Sequence, residues 1–477
     1  MVSMRVKLIN KLKRPEYIFA LVASLFGVLA LFVIPPGWNS DEYQHFFRVE
    51  QLANGGLFSR DPDGRKTPHS VAGGYIDSGA LEFIQKNGFE NRVGLDRSTI
   101  TPLGLYRQHT QYTGDKVYVG FNGSAVYSPV TYIPQVAGNF INKTLGGSVY
   151  SGILLSRLFG LAAYVLIVFL AIKIIPRGKW ILLTMGLLAT SVVQAVALGG
   201  DAMTFSLVAL FISYVLYIAY SNKAMSVKQG TLLTLLLTGV GLVKPTYFAL
   251  APLVALIPII NRKAFNKRAI IILVGSLLLA VVPTLIWMKL VSYVGTNGGE
   301  ESSRGMQLQL MLAHPIDFAA TMARTYLGFT PDGVWNKFYD AAFRNFVWDS
   351  VRFSYLYSIL AVVAVVISLG IKDSKTAIGN TITKARSYMA NFLSIGVFVV
   401  TFAVINLALY LYFSPVGSNT IVGVQARYIF PFLLLLLLPL QNYYRDQVKA
   451  KFLLVGILLT CLIASIIAIY KYIYFLN

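Results

Sequence analysis

Residues 11–46 read KLKRPEYIFALVASLFGVLALFVIPPGWNSDEYQHF. An apolar run from Tyr17 to Ile34 follows basic residues and stops at Pro35-Pro36-Gly37-Trp38; a polar stretch with two adjacent carboxylates, Asp41 and Glu42, comes next. The basic start resembles a signal peptide. However, the run is too long for an ordinary signal core and no small-residue cleavage site ends it, so the sequence predicts a retained first membrane helix.

The rest of the chain repeats this alternation of long apolar runs and short basic loops. Of 477 residues, 56% are hydrophobic and 13% charged, too apolar for one soluble core. The sequence predicts an all-α integral membrane protein of about eleven transmembrane helices. They fall near residues 16–34, 150–175, 179–199, 202–220, 229–243, 246–261, 268–291, 353–371, 389–413, 424–441 and 451–470. The two short spans flanking Lys244-Pro245 also read as one broken element, and no internal repeat is visible. The net charge of +21 does not imply nucleic-acid binding, because the basic residues are scattered through loops with no basic domain or stacking motif. The single cysteine, Cys461, excludes an intramolecular disulfide and a cysteine metal cluster.

With the N-terminus inside, the short cytoplasmic segments hold 21 of the 41 lysines and arginines but only Glu16, Asp373 and Asp446 among the 20 acidic residues. This basic bias predicts an N-in, C-out topology. The divisions are then a cytoplasmic N-terminus (1–15), a first helix (16–34), an outer segment (37–149), helices two to seven (150–291), a second outer loop (292–352) and helices eight to eleven (353–477). Asn39 to Asn54 reads as a polar helix capped by Asn39 or Ser40 and ended by Asn54-Gly55-Gly56. The second outer segment contains Gly298-Gly299-Glu300-Glu301 and an interfacial helix over His314 to Tyr326.

Several charged residues sit where they need a reason. Asp41, with Glu42 as alternate, leaves the membrane beside a lipid surface and suits a general base; acidic residues at a helix start also simply favour its dipole. Lys244 and Arg427 lie at the outer ends of apolar runs, where a cation is costly unless paired or functional. A lipid-linked phosphate is a natural counter-ion for both, and snorkelling to the interface is the plainer role. Arg157 is a third such cation. Asp201, after Gly199-Gly200, suits either a sugar hydroxyl or a helix cap. Tyr127-Ser128-Pro129 and Tyr132-Ile133-Pro134 read as an interfacial aromatic element. Four histidines without paired spacing give a structural metal site little support. Two glycosylation sequons, at Asn122 and Asn142, decide nothing.

Pro35-Pro36, Asp41-Glu42-Tyr43-Gln44-His45-Phe46, Tyr127-Ser128-Pro129, Val243-Lys244-Pro245-Thr246-Tyr247, His314-Pro315 and Gln425-Ala426-Arg427-Tyr428-Ile429-Phe430-Pro431 occur in that order. In this respect the chain resembles a family of bacterial polytopic membrane proteins of formerly unknown function (DUF2142-like), which looks similar to glycosyltransferases of the GT-C fold. The resemblance implies a GT-C-like architecture in the bacterial inner membrane with its active site on the outer face. It implies an enzyme that moves a sugar from a polyprenyl-phosphate carrier to a hydroxyl of a glycan such as O-antigen, with inversion. On that reading Asp41 is the base, and Lys244, Arg427, Gln425, Tyr428 and Arg157 hold the lipid phosphate. His45 orients the base or touches the phosphate, and Asp201, Tyr127 and Tyr247 contact substrate. No cofactor is required, and a divalent metal is left open. A donor synthase and a flippase are the implied pathway partners. A polysaccharide ligase or polymerase, or a transporter of lipid-linked sugars, are the competing readings.

Overall fold

The computed structural model describes residues 13–39, 41–61, 72–87, 89, 100–264, 266–294, 303–327, 355–373, 383–441 and 447–474. Ser40 and the Gly298 to Glu301 run lie outside the described residues.

Helix α1 (Pro15–Val33) starts with proline in its first turn, where a missing N–H costs nothing. It ends at Pro35-Pro36-Gly37, where Gly37 takes φ +75° and lets the chain reverse. Helix α2 (Glu42–Ala53) follows with Asp41 at its cap position, one to two residues later than expected. Then come strand β1 (Gly73–Asp77), α3 (Ser78–Lys86), α4 (Pro102–Arg107), strand β2 (Lys116–Gly120) and α5 (Ile133–Thr144). β1 and β2 pair antiparallel, with Tyr75 opposite Tyr118 and Asp77 opposite Lys116. This two-stranded sheet qualifies the all-α expectation.

Helices α6 (Val149–Ile174), α7 (Lys179–Leu187), α8 (Ala189–Val196), α9 (Asp201–Tyr220) and α10 (Val227–Val243) follow. The expected span over 179–199 is two helices, because Leu188 turns extended and the Ser191 hydroxyl donates to the Met185 carbonyl beside the break (2.7 Å). α10 begins at a capping box in which Ser226 and Gln229 satisfy each other's backbone N–H. It ends at Lys244, whose extended backbone is what a following proline demands. The expected helix over 246–261 is instead a 3₁₀ stretch, Pro245–Ala255, continued by α11 (Leu256–Ile260). Runs of 3₁₀ that long are uncommon.

The chain continues through α12 (Lys267–Leu290), α13 (Arg304–Ala313), α14 (Pro315–Leu327), α15 (Tyr355–Gly370) and α16 (Lys384–Tyr412), and finishes with α17 (Gln447–Tyr474). Between α16 and α17 the expected span over 424–441 is broken into 3₁₀ turns at Ala426–Tyr428 and Phe430–Phe432 and a short turn at Leu434–Leu437.

Among the described residues, six helices are long and apolar enough to cross a membrane: α1, α6, α9, α12, α16 and α17. Three shorter apolar segments, Val227–Val243, Pro245–Ile260 and Leu356–Gly370, accompany them. In α9 78% of the apolar window is buried, against 28–44% in the other five, so α9 is the central helix. It packs on α6 and α10, α1 packs on α6, and α16 lies along the 3₁₀ stretch. The exposed leucines, isoleucines and valines of α1, α12 and α16 are what a lipid-facing surface requires.

Packing of α5 on α6 depends on a small residue: a Cβ at Gly138 would sit 2.5 Å from the Leu155 carbonyl oxygen. We expect Gly138→Ala to lower stability by about 1–3 kcal/mol, the usual cost of overpacking. Gly275→Ala, on a face of α12 with nothing within 4 Å, should leave the melting temperature unchanged or raise it. Melting in detergent measures both.

Candidate functional site

The site is built on a buried ion pair. Arg157 of α6 and Glu42 of α2 are 0% and 1% exposed. Arg157 donates from Nε to Glu42 Oε1 (2.8 Å) and from Nη2 to Oε2 (2.8 Å). Its other N–H groups reach the carbonyls of Ile34 (2.6 Å) and Pro35 (3.0 Å) at the end of α1. Glu42 also accepts from the backbone N–H of Gly37 (3.0 Å) and of Leu198 (3.0 Å), just ahead of α9. The expected cation for phosphate and the expected alternate base are therefore engaged with each other. Four segments, from α1, α2, α6 and the α8–α9 connection, meet on one carboxylate and one guanidinium.

Asp41 lies beside this pair but faces the other way. It caps α2 in the left-handed conformation (φ +56°) with no side-chain capping bond. Such a conformation is unfavourable for a residue with a Cβ and is typical of residues constrained by a site. Its carboxylate is 46% exposed, with Oδ2 3.5 Å from Arg427 Nη2. Arg427 Nη1 is 3.3 Å from Asp201 Oδ2, and Lys244 Nζ is 3.4 Å from Asp201 Oδ1. Asp201, the first residue of α9, thus bridges the two cations and does not cap its helix. Lys244 Nζ also lies 4.1 Å from the Tyr428 ring centroid, a cation–π contact. Arg427 Nε is buried without a partner.

Both cations stand on irregular backbone: Lys244 where Pro245 ends α10, Arg427 in the 3₁₀ turn that replaces a helix. Local sequence accounts for this, since Pro245 and Pro431 each remove a helical N–H. Among the remaining expected site residues, Tyr247 donates its hydroxyl to the Tyr428 carbonyl (2.5 Å), and Gln425 accepts the Tyr428 N–H with its carbonyl (3.1 Å). His45, one turn along α2, shares a hydrogen bond between Nδ1 and the Tyr132 hydroxyl (2.6 Å) and packs against the Tyr127 ring (5.5 Å). Burial holds the His45 imidazole down at about 4; Asp201 and Asp41 oppose that shift, whereas Arg427 and Lys244 reinforce it. It is therefore neutral near pH 7.

The structure brings Asp41, His45, Asp201, Lys244, Arg427, Tyr127, Tyr247 and Tyr428 together and leaves Glu42 and Arg157 behind them as their support. Contacts of 3.3–3.5 Å between the charges are longer than the 2.7–2.9 Å of a tight charge-assisted bond. The cations can therefore turn to an incoming anion. Among the described residues, no group of three or more His, Cys, Asp or Glu side chains gathers to hold a metal ion.

A further carboxylate went unread in the sequence. Glu50, two turns beyond Glu42 on α2, is buried and accepts from Lys143 Nζ (2.5 Å), Asn139 Nδ2 (2.6 Å) and the Tyr112 hydroxyl (3.1 Å). Its i+8 spacing from Glu42 was the available signal, since such residues share a helix face.

A family model described as a predicted membrane protein (DUF2142) matches residues 24–436. No curated protein and no solved structure matches.

Two outcomes follow. Arg157→Met strands a buried carboxylate and should cost about 3–5 kcal/mol of stability, whereas an exposed pair would cost about 1 kcal/mol or less; detergent melting separates them. His45 has its folded value below its usual 6.5. The unfolded chain therefore takes up its proton first, and stability should fall as pH drops from about 6.5 to about 4. His45→Gln should flatten that part of the melting-temperature profile, and an unchanged slope would remove His45 as its source.

Proposed function

The chain belongs to the predicted membrane protein family DUF2142 and is a multi-pass membrane protein, and we propose that it is a glycosyltransferase of the GT-C type. The observation that carries this reading is a half-exposed carboxylate, Asp41, paired with Arg427, with a second cation, Lys244, joined to the same cluster through Asp201. On this reading the site lies on the outer face of the bacterial inner membrane, an orientation that the basic bias of the short loops supports.

The donor is a sugar on polyprenyl phosphate, and the acceptor is a hydroxyl of a cell-surface glycan. Asp41 takes the proton of the acceptor hydroxyl as its oxygen attacks the anomeric carbon from the face opposite the phosphate. The carbon–oxygen bond to the phosphate breaks, and polyprenyl phosphate leaves with the electron pair. Lys244 and Arg427 stabilise its growing charge, helped by the positive end of α9. Asp201 holds both cations in place between turnovers and gives them up to the phosphate. Neutral His45 can donate or accept a hydrogen bond next to Asp41 without adding charge.

One observation favours a second reading, a transporter of lipid-linked sugars: the two cations sit on two interrupted apolar segments, a feature of transporter binding sites. Purified protein supplied with polyprenyl-phosphate sugar and acceptor glycan separates the two. Transfer by wild type and a loss on the order of 100-fold or more in Asp41→Asn support the transferase. Translocation of the lipid-linked sugar across vesicles by wild type and Asp41→Asn alike, without transfer, contradicts it.

A further inference from the structure

The far end of α2 opens onto two cavities of about 440 and 500 Å³, each within the range of roughly 300–1,000 Å³ that small ligands occupy. Asn54 and Lys116 line both, so the two cavities adjoin at those side chains and make up a two-part groove. Its chemistry is mixed. Lys143 and Asn54 border one half, and Tyr75, Tyr118 and Asp61 the other.

The β1–β2 hairpin explains how the aromatic wall is held. Alternation along β1 sends Ile76 into the core, fully buried, and leaves Tyr75 56% exposed. Tyr75 and its cross-strand partner Tyr118 meet edge to face at 5.8 Å, and the Tyr118 hydroxyl donates to the Arg60 carbonyl (2.6 Å), which fixes the ring. The other border is equally fixed: Lys143 donates to both Glu50 (2.5 Å) and Asn54 Oδ1 (3.0 Å). These walls are pre-set, at low ordering cost to a ligand.

We propose that this groove binds the acceptor glycan several sugars away from its reacting hydroxyl. This rests on the transferase reading and names where its acceptor lies. Sugar rings present apolar C–H faces and hydroxyl edges, which an exposed Tyr75 held against a half-buried Tyr118, beside amide, carboxylate and ammonium groups, can match. A wall of aromatic and polar side chains without a deep apolar pocket does not suit a lipid tail. Position supports the assignment as well. Asp41 and Asn54 stand at opposite ends of α2, about 20 Å apart at 1.5 Å rise per residue. One rigid helix, buried from His45 to Gln51, thus fixes the separation between the groove and the proposed base, and an acceptor that occupies both is an oligosaccharide.

The test is direct binding, with no donor present, of fluorescently labelled oligosaccharides released from the host's surface polysaccharide to the full-length protein in nanodiscs, with free glucose as the monosaccharide control. Tyr75→Ala and Lys116→Ala change exposed side chains and should fold, which melting verifies. The groove predicts oligosaccharide binding that exceeds glucose binding and is weakened about tenfold or more in Tyr75→Ala, equivalent to about 1.4 kcal/mol. No binding, or equal binding in wild type, Tyr75→Ala and Lys116→Ala, overturns it. Because no turnover is needed, the two readings fail separately. Tyr75-dependent binding without sugar transfer leaves the groove and removes the transferase; transfer with Tyr75-independent binding does the reverse.

Discussion

The buried pair of Glu42 and Arg157 is the constraint from which the site follows. A lone buried charge is expensive, and a buried pair is tolerated only when its remaining donors and acceptors are filled. Here they are filled by backbone from the end of α1, the α1–α2 link and the α8–α9 connection, so satisfying the pair fixes where these segments meet α2 and α6. Turning Glu42 inward has a direct consequence for its neighbour. Asp41 takes a left-handed backbone conformation and its carboxylate lies at the surface of the cluster. Strain in one residue is offset by a fully bonded pair in the next.

The same economy governs the cations. Lys244 and Arg427 are both placed where proline interrupts an apolar segment, so each stands on irregular backbone within reach of Asp201. Asp201 meets both at the start of α9, the most buried of the six long apolar helices, whose dipole adds positive potential there. Two carboxylates and two cations cancel formally, which lets the cluster exist without a ligand. Contact distances of 3.3–3.4 Å leave neither cation in a tight bond with Asp201.

Much of this was legible in the sequence and some was not, for physical reasons. The apolar runs announced helices, and Lys244-Pro245, Asp41 and Arg427 stood out because charge and proline are costly in such surroundings. The sequence did not separate Asp41 from Glu42: adjacent residues on a helix point about 100° apart, and only tertiary contact decides which one turns inward. The pairing of Arg157 was not legible for the same reason, because its partner lies 115 residues away. The break at Leu188 has no local marker, and the β1–β2 hairpin joins strands separated by two short helices, with no tight turn signal between them. The replacement of two expected spans by 3₁₀ turns was foreshadowed only by their prolines.

The central claim is that Arg427 and Lys244 hold a lipid phosphate while Asp41 acts on the acceptor. Binding of polyprenyl phosphate, the product of the proposed reaction, to purified wild type, Arg427→Ala and Asp41→Asn tests it most directly. The account predicts binding weakened about tenfold or more in Arg427→Ala and retained or strengthened in Asp41→Asn, since a charged hydrogen bond to phosphate is worth about 1.5–3 kcal/mol. Equal affinity in wild type and Arg427→Ala, or loss of binding in Asp41→Asn alone, would contradict it.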